Sequence, residues 1–106
     1  MDTPTHIRKM VERIVEAFAP LQVLLFGSQA RGTATDRSDV DLIVVFADVE
    51  NNFDMAIAIR GVLIDAPLPK DIVVTTPEEI ERRRSMPGDV LHYALPEARV
   101  LYDRDG

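Results

Sequence analysis

The chain has 106 residues, with 12 Lys and Arg against 18 Asp and Glu, a formal net charge of −6 and no Cys or Trp. A chain this short buries one core, which excludes a processive polymerase carrying its own substrate domains, and the acidic balance excludes unaided binding to a nucleic-acid backbone. Without cysteine there is no disulfide framework, thiolate metal site or thiol catalysis.

Ile7, Met10, Val11, Ile14, Val15 and Phe18 recur at helical spacing and predict an amphipathic helix over Thr5–Phe18, ended by Pro20. Leu21–Phe26 is a short apolar run closed by Gly27, the pattern of a buried strand. Ser28–Arg31 opens a helical turn, 32–38 is a polar loop, and a second strand runs from Asp39 to about Phe46. Asn51 or Asn52 caps a third helical segment, Phe53–Ile64, although Gly61 costs about 1 kcal/mol relative to Ala inside a helix. The β-branched run Asp71–Thr75 predicts a third strand. Thr76-Pro77-Glu78-Glu79 then reads as a capping box, with Thr at the N-cap, Pro first and Glu third. That helix breaks near Pro87-Gly88 and resumes through Tyr93, and Arg99–Tyr102 forms a last short strand. The fold expected is α+β, a small mixed sheet flanked by helices, in one domain spanning 1–106. In so short a chain the helices are too few to cover both faces of the sheet, leaving part of one face for another molecule. The first ten residues lack the apolar stretch of a signal peptide, and no apolar run approaches the ~18 residues of a membrane span, so a cytoplasmic setting is expected.

Chemistry concentrates in the aspartates. Residues two apart on a strand share a face, so Asp39 and Asp41 project together, and like charges side by side invite a cation between them. With oxygen donors and no sulfur, that cation is a hard one such as Mg²⁺. Asp71 starts the third strand, and if that strand lies beside the second its carboxylate joins the same face. Asp65 is its competitor but sits at a helix end. Gly27 lets backbone approach a phosphate closely, and Ser28 adds a hydroxyl and an N–H where a helical turn opens. Arg31 has two roles open to it, contact with a triphosphate or a brace to Asp36 or Asp39. Arg82, Arg83 and Arg84 read as a solvated helix surface, His92 and Tyr93 as a helix-end pair, and Met10, Met55 and Met86 as core or interface filling.

Gly27-Ser28, ten residues, then Asp39-Val40-Asp41, with Ala30-Arg31-Gly32 inside, resembles the nucleotidyltransferase superfamily that includes DNA polymerase beta. It is most similar to the minimal nucleotidyltransferase branch, whose small proteins are often antitoxins paired with a HEPN-domain toxin. The resemblance runs from the first helix to the last strand. It implies a nucleotidyltransferase fold, metal-binding catalytic residues Asp39, Asp41 and Asp71, and nucleotide contacts from Gly27, Ser28 and Arg31. It further implies Mg²⁺, ATP as substrate and transfer of AMP to a tyrosine hydroxyl of the HEPN partner. Two other readings share these residues: an adenylyltransferase acting on a small molecule such as an aminoglycoside, and an antitoxin that neutralises its partner by contact alone.

Overall fold

The computed structural model describes residues 2–35 and 38–106. Their elements are α1 (Thr3–Phe18), β1 (Gln22–Phe26), α2 (Ser28–Arg31), β2 (Val40–Val45), α3 (Asn52–Val62), β3 (Lys70–Thr75), α4 (Pro77–Arg83), α5 (Val90–Ala94), a 3₁₀ turn (Leu95–Glu97) and β4 (Arg99–Asp103). The sheet order is β3-β2-β1-β4. β1 pairs antiparallel with both neighbours, while the α3 crossover returns β3 parallel to β2, the long connection that a parallel pair requires. This is the mixed α+β arrangement expected. No helix among the described residues is long and apolar enough to cross a membrane.

Local chemistry sets the helix starts. Asp2 accepts the Thr5 N–H at 2.9 Å and begins α1 at Thr3, two residues before the expected start at Thr5. Asn51 accepts the Asp54 N–H at 3.0 Å to open α3. Gly61 stays inside the last turn of α3, and Leu63 N–H closes that turn on the Ile59 and Arg60 carbonyls. Thr76 caps α4 by accepting the Glu79 N–H at 3.3 Å, but the reciprocal half of the capping box is replaced. The Glu79 carboxylate turns to Asn52, accepting from Nδ2 at 2.9 and 3.0 Å, and so ties α4 to α3. Thr76→Ala should therefore lower stability by about 1 kcal/mol, a shift in the urea midpoint at unchanged slope.

Both faces of β1 and β2 are covered, which corrects the expectation at the centre of the sheet, while β4 stays open, with Val100 56% and Leu101 38% exposed. Val23, Leu25, Leu42 and Val44 lie beneath Met10 and Ile14 of α1 and Ile59 of α3. On the opposite face Leu24, Phe26, Ile43 and Val45 lie beneath Leu91 and Ala94 of α5, with Ile80 of α4 packed alongside. The break at Pro87-Gly88 makes this possible, because two short helices can follow a surface that one long helix would overshoot. Enclosing a side chain such as Leu42 stabilises by roughly 1.5–3 kcal/mol. Asp89 fastens the break: it caps α5 through the Leu91 N–H at 2.9 Å and accepts from Arg83 Nε at 2.8 Å. The Arg83 hydrogen bond, then the Leu91 N–H, hold its carboxyl below the usual carboxylate range. A group lowered in the folded state lends stability above its unfolded value and loses it as pH falls through the folded one. Asp89→Asn should accordingly flatten the acid limb of the stability profile, read as unfolding midpoint against pH.

Candidate functional site

Phe26, the last residue of β1, pairs with Asp41 of β2, and Gly27 then leaves the sheet at φ 75° and ψ −158°. Side chains with a Cβ rarely adopt that backbone. The turn also drives Gly27 against Asp41, since a Cβ built on Gly27 would stand 2.2 Å from Asp41 Oδ2. Glycine is thus required twice, by conformation and by the approach of a carboxylate. The Gly27 carbonyl accepts the Ala30 and Arg31 N–H groups at 3.0 and 3.1 Å, opening α2 at Ser28, and Gly32 ends it at φ 76°.

Asp41 is half-buried and stands in parallel register with Asp71, so the two carboxylates leave the same face of neighbouring strands. Burial raises the Asp41 carboxyl above the usual range, with Asp71 and then Asp39 adding to the rise and Arg31 opposing it. Asp39 is exposed and sits one residue ahead of β2, because strand pairing begins at Val40 with Lys70. The expected strand start at Asp39 is corrected by that one residue. Asp71, on the edge strand, accepts from Arg60 Nη2 at 3.2 Å while Arg60 Nη1 reaches the Lys70 carbonyl at 3.2 Å. An exposed pair of this kind contributes about 0–1 kcal/mol, too little to hold Asp71 against a divalent ion. Asp65 lies elsewhere, beside His6, Lys9 and Arg13 of α1.

Among the described residues no group of three or more Asp, Glu or His side chains is brought close enough together to hold a metal ion, so Asp39, Asp41 and Asp71 are not gathered into a ready-made site. The chemistry of the donors nonetheless fits a hard cation. All three are carboxylates, and the crowding of Asp71 and Asp39 on Asp41 is a like-charge burden that a divalent ion relieves.

Arg31 is corrected in its partner. It meets neither Asp39 nor a described loop residue but Glu97 of the 3₁₀ turn, with Nη1 donating to Oε2 at 2.7 Å; Asp36, the other partner considered, lies outside the described residues. Glu97 Oε1 also accepts the Gly27 N–H at 3.3 Å. Arg31 in turn holds the Glu97 carboxyl below the usual range. Sequence reasoning missed Glu97, because 66 residues separate it from Arg31 and no spacing rule links them.

Residues 7–96 match the nucleotidyltransferase domain family. A protein of Methanocaldococcus jannaschii, provisionally named a protein adenylyltransferase, is 28% identical over 90 residues, covering 80% of this chain. The match spans 60% of that relative's length. Among solved structures, a provisionally named nucleotidyltransferase from Sulfolobus solfataricus superposes with a TM-score of 0.66 at 24% identity, over 95% of this chain and 80% of that one. A toxin-antitoxin structure with AMP-PNP superposes with a TM-score of 0.53 at 20% identity, over 91% of this chain and 73% of that one. At these identities the two structures establish the fold.

Proposed function

Since the chain belongs to the nucleotidyltransferase domain family, we propose that it transfers AMP from ATP, with Mg²⁺, to a tyrosine hydroxyl of a HEPN-domain toxin and acts as that toxin's antitoxin. The observation that carries the reading is the carboxylate of Asp41, in register with Asp71 and packed against Gly27. Adenylyl specificity is supported by the name of the Methanocaldococcus jannaschii relative, and a toxin partner by the toxin-antitoxin neighbour.

Asp39, Asp41 and Asp71 would hold the metal. Bound Mg²⁺ supplies charge neutralisation at the attacking and leaving oxygens. Gly27, Ser28 and Arg31 seat the triphosphate so that its α-phosphorus faces the acceptor. The acceptor oxygen bonds to that phosphorus, the bond to the bridging oxygen breaks, and pyrophosphate leaves. The Asp71 carboxylate takes the hydroxyl proton, since a tyrosine hydroxyl needs a base near neutral pH.

One surface feature favours a protein acceptor over a small molecule. Phe53 and Ile57, one turn apart on α3, are 73% and 53% exposed, and Ile64 just beyond its end is 79% exposed. The same helix carries Arg60, which reaches Asp71. Large apolar side chains gathered on one helix beside a reacting carboxylate fit contact with another protein. The test is incubation with Mg²⁺, labelled ATP and the product of the adjacent reading frame, with an aminoglycoside offered in parallel, followed by mass spectrometry. Label on a partner tyrosine, lost with Asp39→Ala, is the expected result. Label on an aminoglycoside in place of the partner moves the acceptor to a small molecule. Full neutralisation by Asp39→Ala without transfer by wild type supports action by contact alone.

A further inference from the structure

Glu97 and Gly27 meet because of the sheet. Arg99, the first residue of β4, pairs with Leu25 of β1 in antiparallel register, so stepping two residues back into the 3₁₀ turn and two forward from Leu25 brings Glu97 beside Gly27. The one carboxylate then spans both ends of α2, accepting the Gly27 N–H at 3.3 Å through Oε1 and Arg31 Nη1 at 2.7 Å through Oε2. The Arg31 side chain is 50% exposed and Glu97 only 28%, so Glu97 is the better anchored of the two. Its backbone is fixed as well, by the Ala98 N–H to the Leu95 carbonyl at 3.2 Å and by β4 pairing immediately after.

We propose that Glu97 is the positioning residue of the phosphate-contact loop, holding the Gly27 peptide and the Arg31 guanidinium where they meet the triphosphate. The proposal rests on the nucleotidyltransferase reading above. Arg31 lies in the field of two carboxylates, Glu97 and Asp41. Without the Glu97 charge, its planar fork is left to pair with Asp41, where it would compete with the metal for the same oxygens. Glu97 therefore serves both halves of the site: it orients one cation toward phosphate and keeps it off a carboxylate.

The experiment uses the full chain with Glu97→Gln, which preserves size, and Glu97→Ala. Glu97→Gln should weaken Mg-ATP binding about tenfold by calorimetry, the scale of losing a charged hydrogen bond, with the urea midpoint nearly unchanged. In an Arg31→Ala background the further effect of Glu97→Gln should largely vanish. In the nucleotide-free protein, Glu97→Ala should shift the Arg31 Nε signal and speed hydrogen exchange at the Gly27 amide. Tighter ATP binding by Glu97→Gln would make the carboxylate a competitor of phosphate and overturn the proposal. So would weakening that merely tracks a lost folded fraction in both variants, which marks a structural role. A wild type that binds no triphosphate overturns the nucleotidyltransferase reading instead. The two failures are told apart by the nucleotide-free signals, because Arg31 and Gly27 resonances unmoved in both variants overturn positioning whatever the wild type binds.

Discussion

Asp41→Asn should lower nucleotidyl transfer on the order of a thousandfold, the several kcal/mol that a metal supplies to such a transition state, while leaving the metal-free fold at least as stable as wild type. The carboxamide fills the same space beside Gly27. What it removes is a charge that burial, Asp71 and Asp39 all disfavour. The sign follows from the direction of the shift. A carboxyl raised in the folded state binds its proton more readily there than in the unfolded chain. Its contribution to stability therefore falls as pH rises from the ordinary Asp value of 3.8 through the raised one. With chelator present, the variant should unfold at a higher midpoint than wild type near neutral pH, and the gap should close below that value. Added Mg²⁺ should raise the wild-type midpoint by mass action and leave the variant's almost unmoved. Unfolding of metal-free Asp41→Asn would make the carboxylate structural and remove the basis for the metal assignment.

The residues differ in how openly the sequence declares them, and the difference is one of range. The stripe of α1, the apolar run of β1 and the Thr76-Pro77 start of α4 are signals carried within a few residues, and the elements lie where those signals put them, within a residue or two. Asp39 and Asp41 are picked out over the same short range, by a period of two at the mouth of a strand, although strand pairing begins only at Val40 and takes in Asp41 alone. Asp71 was legible only on the condition that β3 lies beside β2, a register that the α3 crossover supplies. Glu97 with Arg31, Arg60 with Asp71 and Glu79 with Asn52 were out of reach. Each is a side-chain pair meeting across elements, and each depends on strand order or helix placement that no local pattern encodes. The second covered face was missed by counting helices. Three short helical elements after β3, with a Pro-Gly break among them, bury more sheet than their length suggests.

Gly27→Ala should cost stability and activity together, and the cause can be divided. The backbone at φ 75° and ψ −158° is strained for alanine, by about 1–3 kcal/mol. The methyl group meets a second obstacle in Asp41 Oδ2, 2.2 Å away, so the carboxylate must rotate off the position it holds beside the loop. Rotation displaces an oxygen assigned to the metal, so Mg-dependent ATP binding should fall by much more than the lost folded fraction explains. A double-mutant cycle with Asp41→Ala separates the two contributions. Removing the carboxylate abolishes the collision and leaves the backbone strain, so Gly27→Ala should be less destabilising in the Asp41→Ala background than in wild type. Equal losses in both backgrounds would assign the whole effect to φ and deny that Gly27 makes room for Asp41. Wild-type stability and turnover in Gly27→Ala itself would mean that the loop relaxes freely, and the close approach of glycine to carboxylate would then have no part in the chemistry.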